Sequence, residues 1–455
     1  MSCFTTNTAR GDKLEAKTYA NQLSKSDNRV AESSIRQLPF VAMKNVIGTT
    51  SLLPAIKPLN YVSTIFGLTS LSPIETKLRG RNNGTSVRLR MFSCMWIAIY
   101  VASSCIALLK DIYYVQPGTP GKITILNVLY TISLYLTSVV SLCLCGVFRR
   151  HFISDITDRL EVIINNFMKA VVEKIVKRTR KTIFLLEVLI LGVSCFVNAL
   201  YLYRECDLTL WKCLPPVLEL LSCTCNSLLI AQFVTVVLIL REQYKYINEI
   251  LVKFAEDALR LPLTKFRTGR QWEVLGIENC LLPLCPPRNR LSQNQVFNCR
   301  LMMAKLVSVS GLTGSYYGFP VLLATFWIFT NIVVVLYSFF FYLSTRYYKD
   351  DLTECVYILE CGMWCVYCAM LITMMALSCH LTSEEANTTM FHVQNILLHP
   401  NLGQDMIAEL DKFSHQLSNM KNEITASGFF VLNLEFLYGF FGVTLAYFVI
   451  MFQLN

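Results

Sequence analysis

Two carboxylates lie inside long, otherwise uncharged stretches of the sequence, at Glu219 and Glu360. An acidic residue in such a stretch is costly to bury and usually faces a cavity or a partner. Other polar or amphipathic residues share these parts of the chain: Tyr130, Asn198, Tyr201, Asn226, Tyr337, Tyr357 and Trp364. Aromatic faces combined with a few orienting amides and carboxylates are typical of a small-molecule site. We predict a ligand-binding set here, with the two acids as its strongest members. Ordinary helix packing is the alternative for each residue, and sugars, polyols and alkaloids all fit the mixture.

A second group of polar residues lies in the last apolar stretch, which ends in "AYFVIMFQLN". The amide of Gln453 would cost several kcal/mol in hydrocarbon without a partner. Copies of it around a shared axis would bond one another or the water shell of an ion. Gln453 reaching interfacial water from a non-pore helix is the alternative. Copies of Glu435, at the other end of this stretch, would form a ring that favours cations, and an ion pair with a basic residue fits Glu435 equally well.

The elements that must position these residues are membrane helices. Of the 455 residues, 54% are hydrophobic and 16% are charged, whereas a soluble domain carries about 25% charged residues. The apolar residues form blocks long enough to cross about 30 Å of hydrocarbon as helix. We predict an all-α, polytopic membrane protein with seven spans: Met91–Leu109, Ile123–Val147, Thr182–Tyr203, Leu214–Leu240, Phe319–Leu343, Cys355–Cys379 and Phe429–Phe452.

The basic residues predict the orientation of these spans. The connections 110–122, 204–213 and 344–354 carry two Lys or Arg each, and most of the 41 basic residues lie on the opposite side. We predict a multi-pass protein of the plasma membrane, and the basic side of such a protein is normally cytoplasmic. Its amino terminus lies in the cytoplasm and its carboxyl terminus lies outside the cell.

The connections predict a large cytoplasmic helical region. Apolar residues recur at helical spacing in 148–181, 241–261 and 406–424, and we expect the last of these helices to lead straight into the final span. Such apolar stripes must be buried, so we expect these helices to pack together. The resulting division is a leader (1–90), a six-span ligand-binding region (91–381, with cytoplasmic loops 148–181 and 241–318), anchor helices (382–428) and a last helix (429–455).

The motifs of several other functions are missing. The sequence has no G-x-x-x-x-G-K-[ST], H-E-x-x-H or G-x-S-x-G motif, and we expect no catalysis, no cofactor and no metal. The basic loops fit topology and anionic lipid contact, not nucleic acid.

Cys206 and Cys213 bracket a short outer loop, where a disulfide is one option. A seven-span receptor coupled to G protein and a transporter are alternatives; inverted topology disfavours the first, and missing inverted repeats disfavour the second.

The end of the chain resembles the hallmark of the insect gustatory receptors, which is Thr-Tyr, five apolar residues and Gln-Phe. Here the stretch reads Ala446-Tyr447, five apolar residues and Gln453-Leu454. "TASGFFVLNLEFLY" (425–438) and "PLNYVSTIFGL" (58–68) also resemble segments of that family. The changes from Thr to Ala and from Phe to Leu are departures from its pattern.

The resemblance implies a ligand-gated, non-selective cation channel for a small tastant. Four subunits, identical or mixed with other gustatory receptors, would surround a pore lined by the last helix of each. Gln453 and Leu454 would lie at its outer constriction, with Tyr447 and Glu435 as further pore or gate candidates. A ligand pocket would open outward among the earlier spans.

Overall fold

The structure, a computed structural model, describes residues 53–68, 83–113, 121–148, 156, 159–160, 163, 169–205, 210–259, 293–345, 351–399 and 402–453. Among these residues the secondary structure is almost wholly helical. Its helices are α1 (Leu53–Ile65), α2 (Asn83–Tyr113), α3 (Gly121–Ser141, continued by a π-helical segment Leu142–Phe148), α4 (Lys169–Glu205), α5 (Leu210–Leu259), α6 (Gln293–Thr345), α7 (Asp351–Leu397), α8 (Gln404–Ser418) and α9 (Leu434–Gln453).

Seven of these helices, α2 to α7 and α9, are long and apolar enough to cross a membrane. This confirms the seven predicted spans and the all-α class. Helices suit this environment because each one satisfies its own backbone hydrogen bonds, which hydrocarbon cannot do. The predicted leader lies mostly outside the described residues.

The helix α5 is the most buried of the seven. It packs against α1, α2, α3, α4, α6 and α7. The Asn226 amide donates to the Leu134 carbonyl of α3 (3.2 Å) and accepts from the Ser138 hydroxyl (3.0 Å). Further along α5, the Asn248 amide oxygen accepts from Thr389 of α7 (2.7 Å). Since a buried amide must find partners, these two asparagines fix α5 against its neighbours, and Asn226 is a structural residue.

The short helix α1 is held against the first two spans at its end. Gly67 has a φ of +74°, which favours glycine, and its carbonyl accepts from the Ser93 hydroxyl of α2 at 2.8 Å. A Cβ on Gly146 of the π-helical segment would lie 2.3 Å from the same carbonyl oxygen. The stretch 58–68 therefore packs closely on α2 and α3.

Three helices extend far beyond a bilayer. The helices α5, α6 and α7 contain 50, 53 and 47 residues, or about 70–80 Å at 1.5 Å per residue, against a hydrocarbon core of about 30 Å. The predicted helical extension over 241–261 is confirmed, since α5 runs to Leu259. The helix α4 begins at Lys169, as the spacing in 148–181 predicts.

The helix that contains the fifth predicted span begins earlier than that span. The sequence suggested a span from Phe319, whereas α6 begins at Gln293. Gly311, Gly314, Gly318 and Pro320 interrupt the helical pattern, and such residues usually mark turns. Tertiary packing overrides them, because Met303, Leu306 and Val309 of the early part of α6 are buried.

The amphipathic helix expected over 406–424 is α8. Its buried residues include Leu410, Phe413 and Leu417, which lie on one face, and it packs on α6 and α7. The packed helical region is thereby confirmed; we call this end of the molecule the α8 end. The expectation that the helix runs straight into the last span was wrong, since α8 stops at Ser418 and a turn precedes α9.

A buried ion pair fastens α8 to α6. The Glu409 side chain is 6% exposed, and its carboxylate lies 2.8 Å from the Arg300 guanidinium. Gln416 donates to the Arg300 carbonyl at 3.3 Å. Lys412 also approaches Glu409, at 3.8 Å, but its side chain is 64% exposed.

Replacing Glu409 by alanine should strongly loosen the α8 end. Removing one partner of a buried ion pair leaves the other charge uncompensated, which destabilises by about 3–5 kcal/mol. We expect thermal unfolding of the purified protein, followed by size-exclusion chromatography, to shift down by several degrees. Lys412→Ala is the control, because exposed pairs contribute at most about 1 kcal/mol. Equal shifts for the two variants would contradict the assignment.

Candidate ligand-binding site and last helix

A carboxylate–phenol cluster lies between α3, α4 and α5, in the half of the molecule opposite the α8 end. The Tyr201 hydroxyl donates to Glu219 Oε2 at 2.9 Å. Glu219 also lies beside the Tyr130 hydroxyl, which is 3.8 Å from the Cys223 sulfur. The sequence places these groups together because Glu219 and Cys223 are one turn apart on α5. Three helices thus converge on one acidic group.

A second cluster lies about two turns deeper along α5, between α4, α5 and α7. The Tyr367 and Ser227 hydroxyls are hydrogen bonded, and Tyr367 also lies beside Ser194. The Asn198 amide donates to the Ser194 hydroxyl at 3.3 Å, while its own Oδ1 is buried and has no hydrogen-bond partner among the described residues. The Trp364 ring stands edge-on to Tyr367, with ring centroids 5.9 Å apart.

The structure thus brings Tyr130, Asn198, Glu219 and Trp364 to the two clusters on α5. Tyr337 and Glu360 are buried as well, at 1% and 4% exposure, but the contacts above do not include them. Cys206 and the side chain of Cys213 lie outside the described residues, so the disulfide stays a prediction.

The sequence analysis missed Tyr367 and its hydroxyl partners Ser194 and Ser227. Cys223 was also missed as a site residue. Tyr367 lies three residues after Trp364, on the same face of a helix, and this spacing was the available signal. The hydroxyl residues gave none, since serine is common wherever membrane helices pack closely.

Chemically, the clusters offer an acceptor-rich, aromatic surface. The Glu219 carboxylate and the Asn198 oxygen accept hydrogen bonds, and the rings of Tyr130, Tyr201 and Trp364 offer apolar faces. A small organic molecule with hydroxyl or amine donors matches this combination. Sugars, polyols and alkaloids, which the sequence left open as ligands, all fit this combination.

The last helix, α9, is little covered by the rest of the chain. Only Phe440 and Thr444 are buried along it, and residues as apolar as Leu445 and Ile450 are more than half exposed. It packs on α6 and α7. A helix that is apolar all round and uncovered requires lipid or further protein around it.

One exposed face of α9 carries both of its strongly polar residues. Glu435 and Gln453 are exposed and eighteen residues apart, which is five turns at 3.6 residues per turn. Gly442 and Ala446 lie between them on the same side. Tyr447 lies on another side, edge-on to Phe329 of α6 with ring centroids 5.6 Å apart. Leu454 lies outside the described residues, and within the described part of the chain Glu435 makes no ion pair.

A tight turn joins α8 to α9 and presses on α6. Thr425 and Val431 form a single antiparallel bridge, and Ser427 has a φ of 50°. The backbone N–H of Phe436 donates to the Asn433 side chain at 2.8 Å, which caps α9. A Cβ on Gly318 would lie 2.6 Å from the Ser427 nitrogen. The turn and α6 therefore meet backbone to backbone, and glycine permits that approach.

Seven spans, a converged polar site and an uncovered last helix define a seven-helix membrane receptor. A family model described as "7tm Chemosensory receptor" matches residues 56–454. The chain belongs to this family of chemosensory receptors, and it is a multi-pass membrane protein.

The solved structures of an insect olfactory receptor share the fold. Receptor OR5 from Machilis hrabei in complex with eugenol is 15% identical, with a TM-score of 0.62, and the match covers 89% of this chain and 99% of that chain. A second structure of the same receptor has a TM-score of 0.61, with the same identity and coverage. Comparison with curated protein sequences gives no match.

Proposed function

We propose that the protein is a gustatory receptor that acts as a tetrameric, ligand-gated, non-selective cation channel. The observation that carries this proposal is the exposed face of α9, with a carboxylate at one end, an amide at the other and small residues between. Around a fourfold axis this face would give a wettable path lined by acceptors for cations. On a side of the assembly that faces the hydrocarbon, such groups would lack partners at a cost of several kcal/mol each.

The ligand proposed for the channel is a small tastant such as a sugar, a polyol or a bitter compound. The clusters around Glu219 and Tyr367 supply hydrogen-bond acceptors and aromatic faces for it. The eugenol complex of OR5 supports a small-molecule ligand for a protein of this fold. The partners would be identical subunits or other gustatory receptors, together with membrane lipid, and we ascribe no catalysis to the chain.

The orientation belongs to the same proposal. With the basic connections in the cytoplasm, the clusters lie in the outer half of the plasma-membrane protein, on the side where a tastant arrives. An epitope tag after Asn455 should bind antibody on intact cells. Binding only after permeabilisation would overturn this orientation.

The decisive experiment is ligand-evoked current in excised membrane patches that contain no GTP. Oocytes expressing the chain, alone or with related receptors, are screened with sugars, polyols and bitter compounds. We expect current with little delay, because the ligand site and pore belong to one protein. A response that requires GTP would favour a receptor coupled to G protein.

Changing Gln453 to alanine should alter conduction without altering surface expression. Removing the amide from the pore mouth would change the groups that meet a permeating ion. We expect a changed unitary conductance or rectification in single-channel records. Phe452→Ala is the matched control, because that ring packs on Phe340 of α6 with centroids 5.9 Å apart. If Gln453→Ala channels behave like the original, the pore assignment fails.

A further inference from the structure

We propose that a membrane-lipid acyl chain occupies an apolar groove beside the last helix. The groove lies between α3, α6 and α9, outside the two clusters on α5, and has a volume of about 1000 Å³. Leu126 and Leu129 of α3 form one wall, and Phe326 and Val333 of α6 form another. This site is separate from the proposed tastant site.

The hydrogen bonding of the lining favours an apolar occupant. Thr325 and Thr330 line the groove, but each hydroxyl donates to a carbonyl of its own helix, Val321 and Trp327 respectively, both at 2.9 Å. Tyr447 is the third polar lining residue, and the remaining lining residues are apolar or glycine. Because the threonine hydroxyls are already satisfied, water gains little here and hydrocarbon loses nothing.

The shape of the groove fits an extended chain. Along α9 the lining runs from Phe436 through Gly439 and Val443 to Met451, a rise of about 22 Å at 1.5 Å per residue. One leaflet is half of a hydrocarbon core of about 30 Å, so an extended acyl chain fits within this length, and the groove follows the helices that cross the core. The rim is open, with Ile125 63% exposed and Phe326 48% exposed. An elongated apolar molecule parallel to the spans is therefore the matching occupant.

The groove lies directly against α9. One wall of the groove is the helix that we assign to the pore, so the occupant packs against a flank of that helix, roughly 100° around its axis from Glu435 and Gln453 at 3.6 residues per turn. The binding proposal itself does not depend on conduction, because occupancy is measured without current.

Photocrosslinking tests the site. The full-length protein is placed in nanodiscs of phosphatidylcholine that contain a trace of a phospholipid with a diazirine in one acyl chain. After illumination, adducts are mapped by mass spectrometry. We expect adducts on groove residues such as Phe326 and Val443 to be severalfold more frequent than on Phe184 and Val188 of α4, which are similarly exposed.

Two matched variants complete the test. Leu129→Trp fills the groove from α3 and should lower groove adducts severalfold. Leu136→Trp lies on the same helix with nearly the same exposure, 46% against 45%, and does not line the groove; it should leave them unchanged. Groove adducts no more frequent than those on α4 would overturn the proposal.

Discussion

Replacing Gly318 by alanine is expected to abolish gating while leaving the other helices folded. The added Cβ would lie 2.6 Å from the Ser427 nitrogen and 3.2 Å from its Cα, and a backbone cannot yield as a flexible side chain does. Overpacking of this kind costs about 1–3 kcal/mol or more. Ser427 already has a φ of 50°, so the turn has little freedom to relax. We expect the turn, and α9 with it, to be displaced.

The measurement is ligand-evoked current at matched surface expression. Gly311→Ala is the control, because it makes the same change on the same helix and an added Cβ there meets nothing within 4 Å. Circular dichroism of both purified variants should show unchanged helix content. Normal current in Gly318→Ala would show that the contact between the turn and α6 does not position α9.

Replacing Glu219 by glutamine should weaken the response to the activating tastant by at least about tenfold. The carboxylate accepts from Tyr201 at 2.9 Å and lies beside Tyr130. Hydrogen bonds to a charged group contribute about 1.5–3 kcal/mol, and about 1.4 kcal/mol corresponds to a factor of ten. We expect the half-maximal concentration to rise while the maximal current is retained. The dose–response curve in oocytes provides the measurement.

Glu249→Gln is the control, an exposed position near the other end of the same helix. A double-mutant cycle with Tyr201→Phe adds a second criterion. If the two groups act together on the ligand, their effects are less than additive. Fully additive effects, or an unchanged potency in Glu219→Gln, would place the ligand elsewhere.

The sequence predicts the spans well, because a block such as Leu214–Leu240 contains no Lys or Arg and only one acidic residue, Glu219, and nothing but membrane or core explains it. The start of α6 and the end of α8 are not predictable in this way. From the sequence alone, Gly318 would be predicted to interrupt a helix. Its role is visible only once the turn around Ser427 is placed against it.

The residues of the ligand site are likewise predictable from the sequence only in part. Glu219 and Trp364 stand out because their residue types are unusual in a span. Tyr367 and Ser227 are on different helices, far apart in the chain, and their pairing depends on how α5 and α7 pack. Patterns along one helix contain no information on that register.

The helix α7 contains no proline and runs without a break from the end nearer the two clusters to the α8 end. Tyr367, in the second cluster, and Thr389, bonded to Asn248, are separated by about 33 Å along its axis. Because the helix is continuous, tilting it by a few degrees at one end moves its other end by about 1–2 Å. Helix movements at regulated interfaces have this size. Since α8 and α9 both pack on α7, that shift reaches the base of the last helix without any change in secondary structure.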